Sequence, residues 1–190
     1  MSGAGRVQVR SLTEADAGLY AALRREMLLD SPWAFGADPT TDRRSDAAVV
    51  AADLRQAAGK PGYAIIGGVE SGAVEIGGVK GDADQPARLL SVAVVMQETG
   101  PKRRHVAAVY SVYTTPAARG RGLGTLVMQR VIDTARTWPG VELVELSVSE
   151  QAEAAQRLYR GLGFVAWGRQ PDALRVGGER YAEEHMQLRL

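Results

Sequence analysis

The stretch Arg119-Gly120-Arg121-Gly122-Leu123-Gly124 is the part of this chain whose residue types and spacing point most directly to chemistry. It lies between a β-rich run, Val106 to Thr114, and the helical spacing of Leu123, Val127, Val131 and Ala135. Alternate glycines there leave backbone N–H groups uncovered at the positive end of a helix dipole, where a phosphate or pyrophosphate can settle. A glycine turn of this kind can also be no more than a tight strand-to-helix connection needing positive φ. Its spacing excludes two other phosphate loops. The Gly-x-Gly-x-x-Gly dinucleotide fingerprint is absent, and Thr125 has no lysine before it, as a Walker loop requires.

The elements that must position this loop follow from periodicity. Arg6 to Arg10 alternates as a short strand. Thr13 reads as an N-cap, with Asp16 three residues on and Leu19, Tyr20, Leu23 and Met27 forming a helical face that Asp30-Ser31-Pro32 ends. Ser45 is expected to cap a second helix reaching about Ala58. Tyr63–Val69, Val74–Val79, Arg88–Gln97 and Val106–Thr114 read as strands, only one of the first two being expected in full. A helix over Gly122–Thr137, a strand over Val141–Val148, and a helix from about Gln151 to Leu162 with Gly163 as a left-handed stop follow. Phe164–Trp167 and Glu184–Leu188 close the series. The order β-α-α-β-β-β-α-β-α-β-β predicts an α/β (α+β) fold, with a mixed, largely antiparallel central sheet flanked by helices.

Composition narrows the chemistry further. The 190 residues contain no cysteine, which removes thiolate catalysis, disulfides and Cys-based zinc sites together. His105 and His185 lack a second histidine at metal-ligand spacing, so no metal is expected, and each is read as a partly exposed strand residue. A net charge of +1 gives no broad basic surface for nucleic acid, and Lys102-Arg103-Arg104-His105 reads as a solvated hairpin tip. The first residues lack the apolar core of a signal peptide, and no run approaches a membrane span. A single cytoplasmic domain covering 1–190, with no membrane partner, is the expectation.

The glycine loop, with Arg119, Gly122 and Gly124 in the defining places, resembles the acetyl-CoA signature Arg/Gln-x-x-Gly-x-Gly/Ala of the GNAT superfamily of N-acetyltransferases. Val112-Tyr113-Thr114-Thr115-Pro116 is similar to that family's splayed strand, and Ala155 to Phe164 resembles its Ala-x-x-Leu-Tyr-x-x-x-Gly-Phe segment. The resemblance implies acetyl-CoA as co-substrate and a small-molecule or protein amine as acceptor. It places Val112, Tyr113, Thr114, Arg119, Gly120, Arg121, Gly122, Leu123, Gly124 and Thr125 around the cofactor. Tyr159 becomes the proton donor to the departing thiolate, since a phenol is protonated at neutral pH. A bulged strand near Val112 or Tyr113 could free an N–H to polarise the thioester carbonyl.

The same resemblance borders the acceptor site with the loop between the first two helices, making Trp33 and Asp30 the substrate-binding candidates and Phe35 a core anchor. Pairing through the C-terminal strands implies a possible homodimer. Two departures stand out. Ala152 replaces a frequent asparagine, which predicts altered cofactor affinity, and the strand before the loop carries no carboxylate. Glu26, Glu98, Glu145 and Glu150 are the remaining candidates for a base acting through water. These departures also allow an acyl-CoA sensor without turnover.

Overall fold

A computed structural model describes residues 7–71, 75–76, 79–80 and 87–190. Seven strands form one sheet in the order β1-β2-β5-β6-β7-β9-β8, where β1 is Val7–Ser11, β2 Tyr63–Glu70, β5 Arg88–Gln97, β6 Val106–Thr114, β7 Leu143–Ser149, β8 Val165–Val176 and β9 Glu179–Arg189. Every neighbouring pair is antiparallel except β6 with β7. Two-residue strands β3 (Glu75–Ile76) and β4 (Val79–Lys80) pair with each other apart from this sheet. The single strand expected over Val74–Val79 is therefore two fragments, while Arg6 and residues 72–74 and 77–78 lie outside the described residues.

Burial on both faces explains the run Leu89 to Val95, apolar except for Ser91, because successive side chains leave the sheet on opposite sides. Val92 and Val94 join Tyr20, Leu23, Met27, Leu28, Val50 and Leu54 of helices α1 (Ala17–Asp30) and α2 (Ala47–Ala57). Ala93 and Val95 face the opposite layer, built on α3 (Leu123–Arg136) and α4 (Glu153–Gly161). Helix α3 buries Val127, Met128, Val131, Ile132 and Ala135 at i, i+1, i+4, i+5 and i+8, each large side chain contributing roughly 1.5–3 kcal/mol. None of the described helices is long and apolar enough to cross a membrane.

Helix entries differ in detail from their expected form. Thr13 opens a 3-10 turn, Glu14–Asp16, and the Asp16 carboxylate accepts both the Thr13 N–H (2.8 Å) and its hydroxyl (3.0 Å) before α1 begins. Asp46, not Ser45, caps α2 by accepting the Ala48 N–H at 2.8 Å; Ser45 is held in the preceding turn, donating to Asp42. Strands β8 and β9 extend well beyond the short segments expected. A two-residue turn at Gly177-Gly178, with φ of 60° and 87°, joins them as a hairpin, the geometry that matches strand twist. His185 is half-buried in β9, whereas His105 lies in the exposed turn before β6.

Candidate active site

The parallel pair β6–β7 is in register only from Val106↔Leu143 to Ala108↔Glu145. Beyond it the strands diverge, leaving the backbone from Val109 to Thr114 without a ladder partner on that side. Opposite β5 the register slips between Val92 and Val94, so that Ser111 and Val112 face Ala93 alone. Ser111 takes φ of 55°, a left-handed conformation uncommon for a residue with a Cβ. The bulge expected near Val112 is thus present, and it turns the strand just where it parts from β7.

A cleft of about 540 Å³ occupies this divergence. Because it passes between the strands, its walls come from both layers of the molecule. Val112, Leu146, Ala152 and Tyr159 line it on the α4 side; Arg24, Phe35, Ser147, Glu183, His185 and Trp167 line it on the other. Tyr159 is 4% exposed, packs against Phe164 and has no hydrogen-bond partner among the described residues, and burial pushes its hydroxyl well above the usual phenol value. It therefore enters the cleft as a protonated donor.

At the start of α3, Gly120 and Gly122 adopt φ of 74° and 76°, and a Cβ on either would meet only open space. Their glycine requirement is conformational, and the space beside them is clear for a ligand. None of the N–H groups from Gly120 to Thr125 donates a hydrogen bond within the described residues, and the first helical acceptor bond runs from Leu126 to Gly122 at 3.2 Å. Gly124 is tight for another reason: a Cβ there would come within 3.2 Å of Leu158 and 3.3 Å of the Thr114 hydroxyl. Leu123 is buried and anchors the loop from below, whereas Arg121 and Thr125 are exposed.

Arg119 turns away from this cradle. Its guanidinium donates to the Thr114 carbonyl (3.1 Å), pairs with Asp30 (2.5 Å) and lies 5.5 Å from the centre of the Tyr113 ring. Burial raises the Asp30 pKa, but Arg119, with Ser31 and Tyr113, more than offsets this and leaves it below the ordinary carboxylate value. Asp30 thus braces the loop. Tyr113 directs its side chain towards α1, its hydroxyl donating to Glu26 at 3.1 Å and its ring meeting Phe35 edge-on, so only its backbone faces the divergence. Trp33 sits in the 3-10 turn Pro32–Ala34 and is not part of the cleft wall, to which this loop contributes Ala34 to Ala37. Phe35 is both core contact and wall.

The carboxylates weighed from sequence are all engaged. Glu26 holds Tyr113, Glu145 pairs with Arg103 at 2.8 Å, Glu98 lies 4.0 Å from the same guanidinium, and Glu150 is held below its ordinary value by Arg169. Not among the site residues read from sequence were Ser147, Glu183, Trp167 and His185, the last read there only as a partly exposed strand residue; strand register brings them together, with Ser147 opposite His185 and Ser149 opposite Glu183. Among the described residues, no group of three or more His, Asp or Glu side chains is spaced to hold a metal ion.

An independent comparison with family models matches residues 26–164 to the acetyltransferase (GNAT) family. The chain belongs to the GNAT family of acetyltransferases. Among curated proteins, this chain is 35% identical over 81 residues to the L-methionine sulfoximine/L-methionine sulfone acetyltransferase of Salmonella typhimurium, covering 43% of this chain and 47% of that one. It is 33% identical over 81 residues to the L-amino acid N-acyltransferase MnaT of Escherichia coli, covering 43% and 46%. The match spans less than half the length of either relative.

Solved structures extend the likeness to the whole fold. A GNAT acetyltransferase from Streptococcus pneumoniae superposes with a TM-score of 0.79 at 16% identity, over 97% of this chain and 99% of that one. The Salmonella typhimurium protein yncA, solved with its cofactor acetyl-CoA, gives 0.73 at 24% identity, over 97% and 94%. At those identities the likeness speaks for architecture.

Proposed function

We propose that this chain is an acetyl-CoA-dependent N-acetyltransferase that passes the acetyl group directly to a primary amine. The observation that carries the reading is that one chain segment presents two sets of backbone donors without partners among the described residues: those of Gly120–Thr125 at the start of α3, and those along the edge of β6 that parts from β7 and lines the cleft. The first suits a pyrophosphate by main-chain contact and helix dipole. The second, bent by the bulge at Ser111, suits an extended amide-bearing arm followed by a carbonyl needing a hydrogen-bond donor. Acetyl-CoA, when bound, would supply an activated acetyl thioester.

In this reading Gly120, Arg121, Gly122, Leu123, Gly124 and Thr125 hold the phosphates through backbone N–H groups. Val112, Tyr113 and Thr114 orient the arm, with Arg119 and Asp30 bracing the loop. Tyr159 protonates the departing sulfur. The amine enters from the face carrying Phe35, Trp167 and His185. A cleft of this volume suits a small molecule, and the names of both curated relatives favour an amino acid or close analogue.

Calorimetric titration with acetyl-CoA, followed by thiol release across a panel of primary amines including L-methionine sulfone, tests the proposal. Saturable binding and amine-dependent thiol release are expected. Absence of binding at millimolar acetyl-CoA would remove the cradle, and binding without turnover across the panel would remove the transferase step.

A further inference from the structure

We infer that His185, held by Ser147, is the group that takes the proton from the acceptor amine. This rests on the acetyl-transfer reading above and assigns a base where the carboxylates considered from sequence are all committed elsewhere.

The position follows from register. Ser147 and His185 are direct partners on β7 and β9, so their side chains leave the sheet on the same face, and both line the cleft across from Tyr159. The Ser147 hydroxyl lies 2.8 Å from His185 Nδ1. The Trp167 ring stacks on the imidazole, with centroids 5.3 Å apart and an interplanar angle of 29°. The ring is therefore fixed in plane by a hydrogen bond and held by an aromatic wall. Nε2 has no partner among the described residues. With Nδ1–H donating to Ser147, Nε2 presents its lone pair as the acceptor.

The surrounding charges suit that task. Glu183, two residues along the same face of β9, is raised by burial and lowered in part by His185, with a net upward displacement. Glu145 on β7 is occupied by Arg103, and on β8 Arg169 is occupied by Glu150. Glu184 is paired with Arg160 at 2.6 Å. Glu183 is thus the carboxylate left beside the ring to favour a developing imidazolium.

The proton and electron accounting closes. The amine nitrogen forms a bond to the acyl carbon as its proton passes to His185 Nε2. The carbon–sulfur bond breaks, its electron pair stays on sulfur, and Tyr159 supplies the proton that makes the free thiol. Solvent then removes the proton from His185 and restores that of Tyr159, leaving amide and thiol as the only products.

The test uses the full chain, acetyl-CoA and L-methionine sulfone or whichever panel amine the wild type accepts. H185A is expected to lose about 10²–10⁴ in kcat with its acetyl-CoA KM within about twofold, and to recover turnover when imidazole is added to the buffer. H185Q, which retains bulk beneath Trp167, guards against a folding defect: it should melt with the wild type and still lose kcat without imidazole rescue. E183Q should lose much less, about tenfold or below. Wild-type kcat in H185A or H185Q, a loss in H185A that imidazole leaves unchanged, or a larger loss in E183Q than in H185A would overturn the assignment. A wild type that releases no thiol with any amine would instead overturn the transferase reading, and this inference with it.

Discussion

Removing Asp42 should expose how the bulge at Ser111 is held. The Arg24 guanidinium is buried beneath the cleft, where it makes two 3.0 Å bonds to the Asp42 carboxylate and donates to the Ser111 hydroxyl at 2.9 Å. The paired side chains are only 7% and 9% exposed, so solvent screening does not weaken the pair. Burial pushes the Asp42 pKa up, yet Arg24, Ser45 and Arg44 pull it below the ordinary value. Asp42→Ala leaves a buried cation without its counterion, and such a cut costs about 3–5 kcal/mol. For a chain of this length that amounts to a fall in Tm on the order of 10 °C. Replacing both partners by apolar residues, Arg24→Met with Asp42→Leu, should restore most of this stability, because desolvation of the ions disappears with them.

The double variant is the informative one, because it separates folding from site geometry. Ser111 would lose the Arg24 donor to its hydroxyl while keeping a backbone conformation that costs about 1–2 kcal/mol. The bulge is then free to relax, and a misplacement of about 1 Å at the donor edge costs about 10² in rate. Denaturant unfolding together with kcat/KM for thiol release measures both quantities. Native-like stability with a rate about a hundredfold lower is expected. A double variant with wild-type rate and stability refutes the idea that Arg24 and Asp42 set the bulge, as does an Asp42→Ala protein within about 1 kcal/mol of wild type.

Three other perturbations reach different links of the same argument. Tyr159→Phe should lower kcat by about 10² with Tm and acetyl-CoA KM almost unchanged, since the hydroxyl has no hydrogen-bond partner among the described residues; thiol-release kinetics and a thermal melt check this. Gly122→Ala puts a Cβ on a residue at φ of 76° and should cost about 1 kcal/mol of stability and weaken CoA binding in calorimetry, with no clash involved. Asp16 is held at about 2, chiefly by Arg10, against burial and with help from Thr13. Its depressed value stabilises the fold above the unfolded carboxylate pKa and is lost as pH falls from about 4 through 2, a change of about 2 kcal/mol that Asp16→Asn should remove from urea unfolding curves.

In the glycine-loop half of the candidate site, the backbone geometry was readable from sequence because its requirements are local. Positive φ at Gly120 and Gly122 and the onset of α3 depend on consecutive residues, and the strands Arg88–Gln97 and Val106–Thr114 have the bounds that alternation and apolar content predict. Gly163, at φ of 93°, ends α4 for the same local reason. Side-chain roles within that half were less readable. Arg119 sits in the signature, yet its guanidinium lies over Tyr113 and pairs with Asp30, the latter a contact across 89 residues that no spacing within the loop encodes.

The proposed acceptor half depends on register, which single-strand patterns do not carry. Strand β8 is an edge strand with most of its residues exposed, and it contains Pro171 and two register shifts, so its alternation fades after Trp167. Yet that hairpin is what lays Trp167 on His185, and the antiparallel pairing of β9 with β7 is what sets His185 against Ser147. A one-residue slip of β9 would send His185 and Glu183 to the opposite layer and replace them with residues that now face away from the cleft. The chemistry of the proposed amine side is therefore tied to a pairing of residues 38 apart, while the backbone geometry of the glycine loop is written in six consecutive residues. The divergence of β6 from β7 is what joins the two, since only there can groups from opposite faces of one sheet approach the same atoms.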